Sequence, residues 1–120
     1  MTDENVVQRF FAAMQTGAST EREMMALFSD DAVYVEPFGG VVRTHRGKAA
    51  VRRAMHDGWR APLSEMRIQV DRIQMRDDEI VADWTCFSPA LPDGEGSGRN
   101  VFTIRDGLIV RLETTLGAAR

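Results

Sequence analysis

MRIQVDRIQM (66–75), EIVADWTCFS (79–88), RNVFTI (99–104) and LIVRLETTL (108–116) are the four segments whose reading decides the fold. Each mixes β-branched and aromatic residues with polar ones at a period near two, which is the signature of a strand with one buried face. Turn signals separate them at Asp77-Asp78, between Pro89 and Gly98, and at Asp106-Gly107. Connections this short force neighbouring strands to run antiparallel, so the second half of the chain reads as a meander.

Towards the N-terminus the period changes. Val6, Val7, Phe10, Phe11 and Met14 recur at helical spacing, with Thr2 as N-cap and Gly17 as stop. A second, shorter helix is expected from Ser19-Thr20, where Glu23 completes a capping box ahead of Met24, Met25, Leu27 and Phe28, with Asp30-Asp31 as its end. AVYVEPF (32–38) reads as a strand with Val33 and Val35 on one side and Tyr34 and Glu36 on the other, closed by Pro37. A Gly39-Gly40 turn and a polar stretch around His45 follow. GKAAVRRAMHDGWRA (47–61) then restores helical period through Ala50, Val51, Ala54, Met55 and Trp59, with Pro62 at its exit. Helices gathered ahead of antiparallel strands give an α+β fold: a curved, mostly antiparallel sheet wrapped around three helices of the N-terminal half.

The chain has 120 residues, 43% of them hydrophobic and 28% charged, which suits one domain spanning 1–120 with a real core and room for one internal cavity. Its formal charge is -3, and its basic residues come in pairs such as Arg52-Arg53 rather than in runs. Nucleic-acid binding, which needs concentrated positive potential, is therefore not expected. The N-terminal sequence begins with acids and lacks the apolar run of a signal peptide, and no stretch approaches the ~18 apolar residues of a membrane span. A cytoplasmic setting is expected, in keeping with the single Cys86.

The order of elements resembles the cone-shaped fold shared by nuclear transport factor two, ketosteroid isomerase, scytalone dehydratase and the SnoaL-like polyketide cyclases. The resemblance spans about residues 5 to 116. It is carried by VVQRFFAAMQTG (6–17), MMALFSDDAVYVEPFGG (24–40), RGKAAVRRAM (46–55) and NVFTIRDGLIVRLET (100–114). This scaffold hosts isomerases, dehydratases, hydrolases, cyclases and non-catalytic binding domains, so it specifies chemistry weakly. In the ketosteroid isomerases a carboxylate just before a proline at the end of the first strand acts as the base; VEPF (35–38) puts Glu36 there. The family's helix-1 tyrosine falls on Phe10 and its strand aspartate on Asn100. Phenylalanine has no O–H to give and an amide donates less strongly than a neutral carboxyl, so classical steroid isomerase activity is not expected.

The candidate catalytic residues are Glu36, Asp83 and Asn100. Desolvation in an apolar cone would raise the pKa of Glu36 toward that of a working base; alternatively Glu36 is a rim carboxylate bonded to backbone amides or to an arginine such as Arg43. Asp83, between Val81 and Thr85, is either a proton donor or substrate anchor in the cavity, or a member of a cross-strand ion pair. Asn100 shares a strand face with Phe102 and Ile104 and either donates to a substrate carbonyl or satisfies a neighbouring backbone group. Phe10, Met14, Tyr34, Met55, Trp59, Trp84 and Phe102 would be substrate-binding walls of the cone, though aromatics at this spacing also serve as plain packing.

His45 and His56 are the only imidazoles, and they lie on different elements, so no metal site is expected. Cys86 in a strand reads as a small buried hydrophobe, and DGEGSG (93–98) as a hairpin loop rather than a phosphate cradle. Val110, Leu112 and Leu116, with Trp84 and Cys86, suggest apolar surface in need of cover, and the family's habit implies a homodimer through the sheet. The expected function is that of a small acid/base enzyme of isomerase, cyclase or dehydratase type. It would need no cofactor and would act on a hydrophobic, cyclic carbonyl compound. The alternative is a non-catalytic small-molecule-binding or dimerisation domain of the same fold.

Overall fold

The computed structural model describes residues 2–59, 63 and 65–117. Helix α1 spans Asp3–Thr16 and α2 Glu21–Met25. Strand β1 spans Phe28–Glu36, β2 Arg43–Arg46, and helix α3 Lys48–Trp59. The meander follows as β3 Arg67–Arg76, β4 Glu79–Phe87, β5 Glu95–Arg105 and β6 Leu108–Leu116. Six strands form one sheet in the order β2-β1-β6-β5-β4-β3, antiparallel throughout except where β1 lies parallel to β6. This is the α+β architecture expected, with the three helices against the concave face.

Local chemistry explains most boundaries. The Thr2 side chain accepts from the N–H of Asn5 at 3.1 Å, and Gly17 ends α1 at φ 93°, a conformation that favours glycine. The β5–β6 connection has positive φ at both Asp106 and Gly107, as a two-residue hairpin requires. Gln15 pins α1 to the free edge of β3, its side-chain Nε2 donating to the Met66 carbonyl at 2.8 Å and its Oε1 accepting from the Ile68 N–H at 2.5 Å.

Several expectations are corrected. The capping box does not form: the Thr20 hydroxyl turns back to the carbonyls of Ala13 and Gly17, and α2 is only five residues long. Asp30 and Asp31 do not end a helix but lie within β1. The polar stretch around His45 is a strand, because Gly39 and Gly40 turn the chain back on β1. The loop before β5 is shorter than expected, since Gly96 and Gly98 already pair with Cys86 and Trp84. Pro62 and the last two residues of the third helical segment, Arg60 and Ala61, lie outside the described residues.

The core lies between helices and sheet. Phe10 is its aromatic hub, in edge-to-face contact with Phe11, Phe28 and Phe102 at centroid distances of 5.3, 6.3 and 5.2 Å. Trp84, Cys86 and Leu112, read from the sequence as surface needing cover, belong to this core, because the faces that carry them are turned to the helices. The outer face is mixed: Arg99, Asp83, Arg111 and Glu113 pair across or along its strands, and Val35, Val101 and Val81 lie among them.

Candidate functional site

The β1–β2 hairpin sets Arg43 opposite Glu36 and His45 opposite Tyr34. Because side chains alternate along a strand, Tyr34 and Glu36 share the concave face with Leu112 of β6, and one step beyond the Val35–Glu113 pairing the parallel register sets Glu36 beside Thr114. The next strand brings Asn100 opposite Thr114. The polar residues of the concave face thus form a band across β2, β1, β6 and β5, bordering a core that is otherwise apolar.

Glu36 is 2% exposed. Its Oε1 accepts from the Phe38 N–H at 2.8 Å, and its Oε2 accepts from Arg43 Nε at 2.9 Å and Nη2 at 2.8 Å and meets His45 Nε2 at 2.9 Å. Burial is the largest single influence on its pKa and pushes it up. The hydrogen bonds from His45 and Phe38, with the charge and bond of Arg43, together outweigh burial and hold the carboxyl below the usual glutamate range. The expected upward tuning of Glu36 is therefore corrected: the carboxylate is ionised at neutral pH and its acceptor sites are engaged. An ionised carboxylate has no hydrogen to give, so the hydrogen of the His45–Glu36 contact sits on Nε2, and in a neutral imidazole Nδ1 is then the basic nitrogen. The His45 ring lies 5.9 Å from that of Tyr34 and its side chain is 18% exposed. Burial, reinforced by the Glu36 charge, pushes the Tyr34 phenol above the usual tyrosine range, so it stays neutral.

Asn100, 4% exposed, accepts two hydrogen bonds at Oδ1, from Trp84 Nε1 at 3.1 Å and from the Thr114 hydroxyl at 2.8 Å. The Trp84 ring packs against Gly98, its cross-strand partner, so closely that a Cβ at that position would overlap the indole. Gly98→Ala is accordingly expected to displace the indole and break the Trp84–Asn100 bond, lowering stability by about 2–3 kcal/mol as overpacking and a lost buried hydrogen bond combine. The denaturant midpoint and Trp fluorescence check this together.

Asp83 is not brought to this site. It points to the outer face and holds a two-pronged pair with Arg99, its directly opposed neighbour, at 2.6 and 3.2 Å. The Arg99 hydrogen bond outweighs burial and keeps its pKa below the ordinary range. The predicted catalytic role is replaced by the cross-strand ion pair. Phe10 and Phe102 touch each other and are packed core rather than cavity walls, and Met55 is buried with them. Met14 and Trp59 pack against the same cluster and remain partly open, while Tyr34 and Trp84 border the polar band.

A groove of about 410 Å³ lies between Gln8 and Phe11 of α1 and Val70–Ile73 of β3, and a hollow of about 150 Å³ on α3 is lined by Arg52, Arg53, His56 and Asp57. Neither is lined by Glu36, His45 or Asn100. Among the described residues no three His, Cys, Asp or Glu side chains converge as metal ligands would, and no helix is long and apolar enough to cross a membrane.

His45 and Thr114 were missed as site residues, although the signal for His45 was present. A hairpin centred on Gly39-Gly40 pairs Glu36 with Arg43, and two residues further along each strand it pairs Tyr34 with His45.

The model of a SnoaL-like domain matches residues 7–112. No curated protein matches the sequence. Among solved structures, a candidate polyketide cyclase from Sinorhizobium meliloti superposes with a TM-score of 0.76 at 21% identity, covering 96% of this chain and 100% of its own. A candidate ketosteroid isomerase from Kribbella flavida gives 0.75 at 15% identity, covering 98% and 79%. A protein of cystatin-like fold and unknown function from Methylobium petroleophilum gives 0.74 at 18% identity, covering 98% and 77%. At these identities the likeness is one of fold.

Proposed function

Since the chain belongs to the SnoaL-like domain family, whose scaffold includes isomerases and cyclases, we propose that it is an acid/base enzyme that moves a proton next to the carbonyl of a small, hydrophobic, cyclic compound. The observation that carries this reading is the Glu36–His45 contact of 2.9 Å, with Arg43 on the same carboxylate oxygen. Glu36 is the positioning residue: it fixes the tautomer and direction of the imidazole and stabilises the positive charge that His45 acquires on taking a proton. His45 Nδ1 is the base. Asn100 holds the substrate carbonyl through its amide nitrogen and stabilises the charge that grows on that oxygen as the proton leaves.

Abstraction of a proton beside a carbonyl leaves a trace that does not depend on the natural substrate. In D₂O the wild-type protein should catalyse deuterium incorporation into members of a panel of cyclic ketones, followed by NMR. His45→Gln should slow that exchange by about 10²–10⁴-fold, the usual worth of a positioned base. Exchange that persists unchanged in the variant would remove His45 from the reaction.

A second reading has its own observation. Phe10, Phe11, Phe28 and Phe102 pack the core between helices and sheet with mutual ring contacts, which favours a binding module with a shallow site over an enzyme with an enclosing cavity. Saturable binding of cyclic ketones without any deuterium exchange would select it.

A further inference from the structure

The two bonds to Asn100 determine which end of its amide can meet a ligand. An indole N–H can only donate, so the Asn100 atom 3.1 Å from Trp84 Nε1 must be the oxygen. The same oxygen lies 2.8 Å from the Thr114 hydroxyl, which must then donate its one hydrogen there. Both bonds are buried, and a flipped amide would set its nitrogen against the indole N–H, donor against donor. Among the described residues the side-chain hydrogen bonds of Asn100 are all made at Oδ1. Its Nδ2, with two hydrogens, is the uncommitted end.

We infer that Trp84 and Thr114 are positioning residues that lock the Asn100 carboxamide with its oxygen inward, so that the site selects ligands presenting a hydrogen-bond acceptor, such as a carbonyl or enolate oxygen, over ligands presenting a donor. The inference rests on the proposed placement of Asn100 toward the ligand, and it adds to that placement the polarity of the contact and the residues that set it. Gly98 belongs to the same device, because only a residue without a side chain lets the indole lie where it can reach Asn100. Trp84 thereby changes role, from an apolar wall to the group that aims an amide.

The test uses two rigid bicyclic probes of similar size and opposite polarity: 1-indanone, which only accepts, and indole, which only donates. The wild-type protein should bind 1-indanone in preference to indole. Thr114→Val removes one donor to Oδ1 and Trp84→Phe the other, freeing the amide to turn. The double variant should lose at least about tenfold of the preference, whereas Thr114→Ser, which keeps the hydroxyl, should retain it. Should the double variant not fold, Thr114→Val against Thr114→Ser carries the comparison. A preference unchanged in Thr114→Val, or a wild-type protein that binds indole as well as or better than 1-indanone, or that binds neither, overturns the inference. Deuterium exchange is read separately. Exchange with an unmoved preference sinks the amide lock and leaves the proposed reaction standing, and a preference that moves as expected without exchange does the reverse.

Discussion

Phe10→Ala is expected to lower stability by about 3–5 kcal/mol, a large share of the ~5–15 kcal/mol that holds a domain folded. Phe10 is 2% exposed and meets three other rings at 5.2 to 6.3 Å. The variant therefore loses the transfer energy of a whole benzyl group and leaves a void whose lining is itself aromatic and stiff, on an α1 that is pinned to the edge of β3 through Gln15 and cannot easily collapse inward. Denaturant unfolding should show a much lower midpoint at unchanged slope. The number also decides between two roles for this residue. A phenylalanine lining an open cavity loses few contacts on truncation, so a cost below about 1 kcal/mol would return Phe10 to the substrate wall.

The same residue shows why the fold was legible and the site only partly so. Helix and strand periods in 6–14 and 66–116 reflect burial of one face, and burial depends on little beyond which residues are apolar; hence the layers and the meander follow from the pattern. Where two apolar faces meet, the pattern stops short. Phe10 and Phe102 read equally well as walls of a void or as rings in contact, because only the distance between layers separates the two cases. Asp83 failed for a related reason: alternation placed it on the face of Val81 and Thr85, opposite to Ala82 and Trp84, but the partner that explains it, Arg99, is set by the β4–β5 register. Glu36 was found through its place before Pro37, and Arg43 was foreseen as its possible partner. His45 is not signalled in the same way, since a short polar stretch lacks the apolar alternation of a strand and its place opposite Tyr34 comes only from the pairing with β1. Trp84, Thr114 and Asn100 come from three strands, and their convergence depends on two registers at once.

Glu36→Ala is the change expected to reach furthest into function. In the wild type one carboxylate oxygen meets Arg43 and His45 and the other meets the Phe38 N–H, so the substitution strips a partner from two residues of β2 and from the hairpin tip. The Arg43 side chain is 51% exposed and water can take over its charge, which keeps the structural cost at about 2–3 kcal/mol, below that of breaking a fully buried pair. The effect on the proposed reaction should be larger. Without an acceptor at Nε2 the imidazole is free to change tautomer and direction, and deuterium exchange should fall by about 10²–10⁴-fold. That fall should appear in kcat more than in KM, because the ketone is held by Asn100. Glu36→Gln separates geometry from charge. An amide that keeps its oxygen toward Arg43 and His45 preserves the tautomer but sets its nitrogen against the Phe38 N–H, so it should retain more activity than alanine and lose the hairpin bond. The pH dependence supplies an independent reading. Because the folded pKa of Glu36 lies below its unfolded value, its contribution to stability is full above the ordinary glutamate value of about 4.3 and is lost as pH falls from there through the folded value. Both variants should lack that segment of the stability–pH curve. If alanine and wild type instead lose stability in parallel as pH falls below about 4.3, and exchange is untouched, Glu36 is neither the clasp of the hairpin nor the partner of the base.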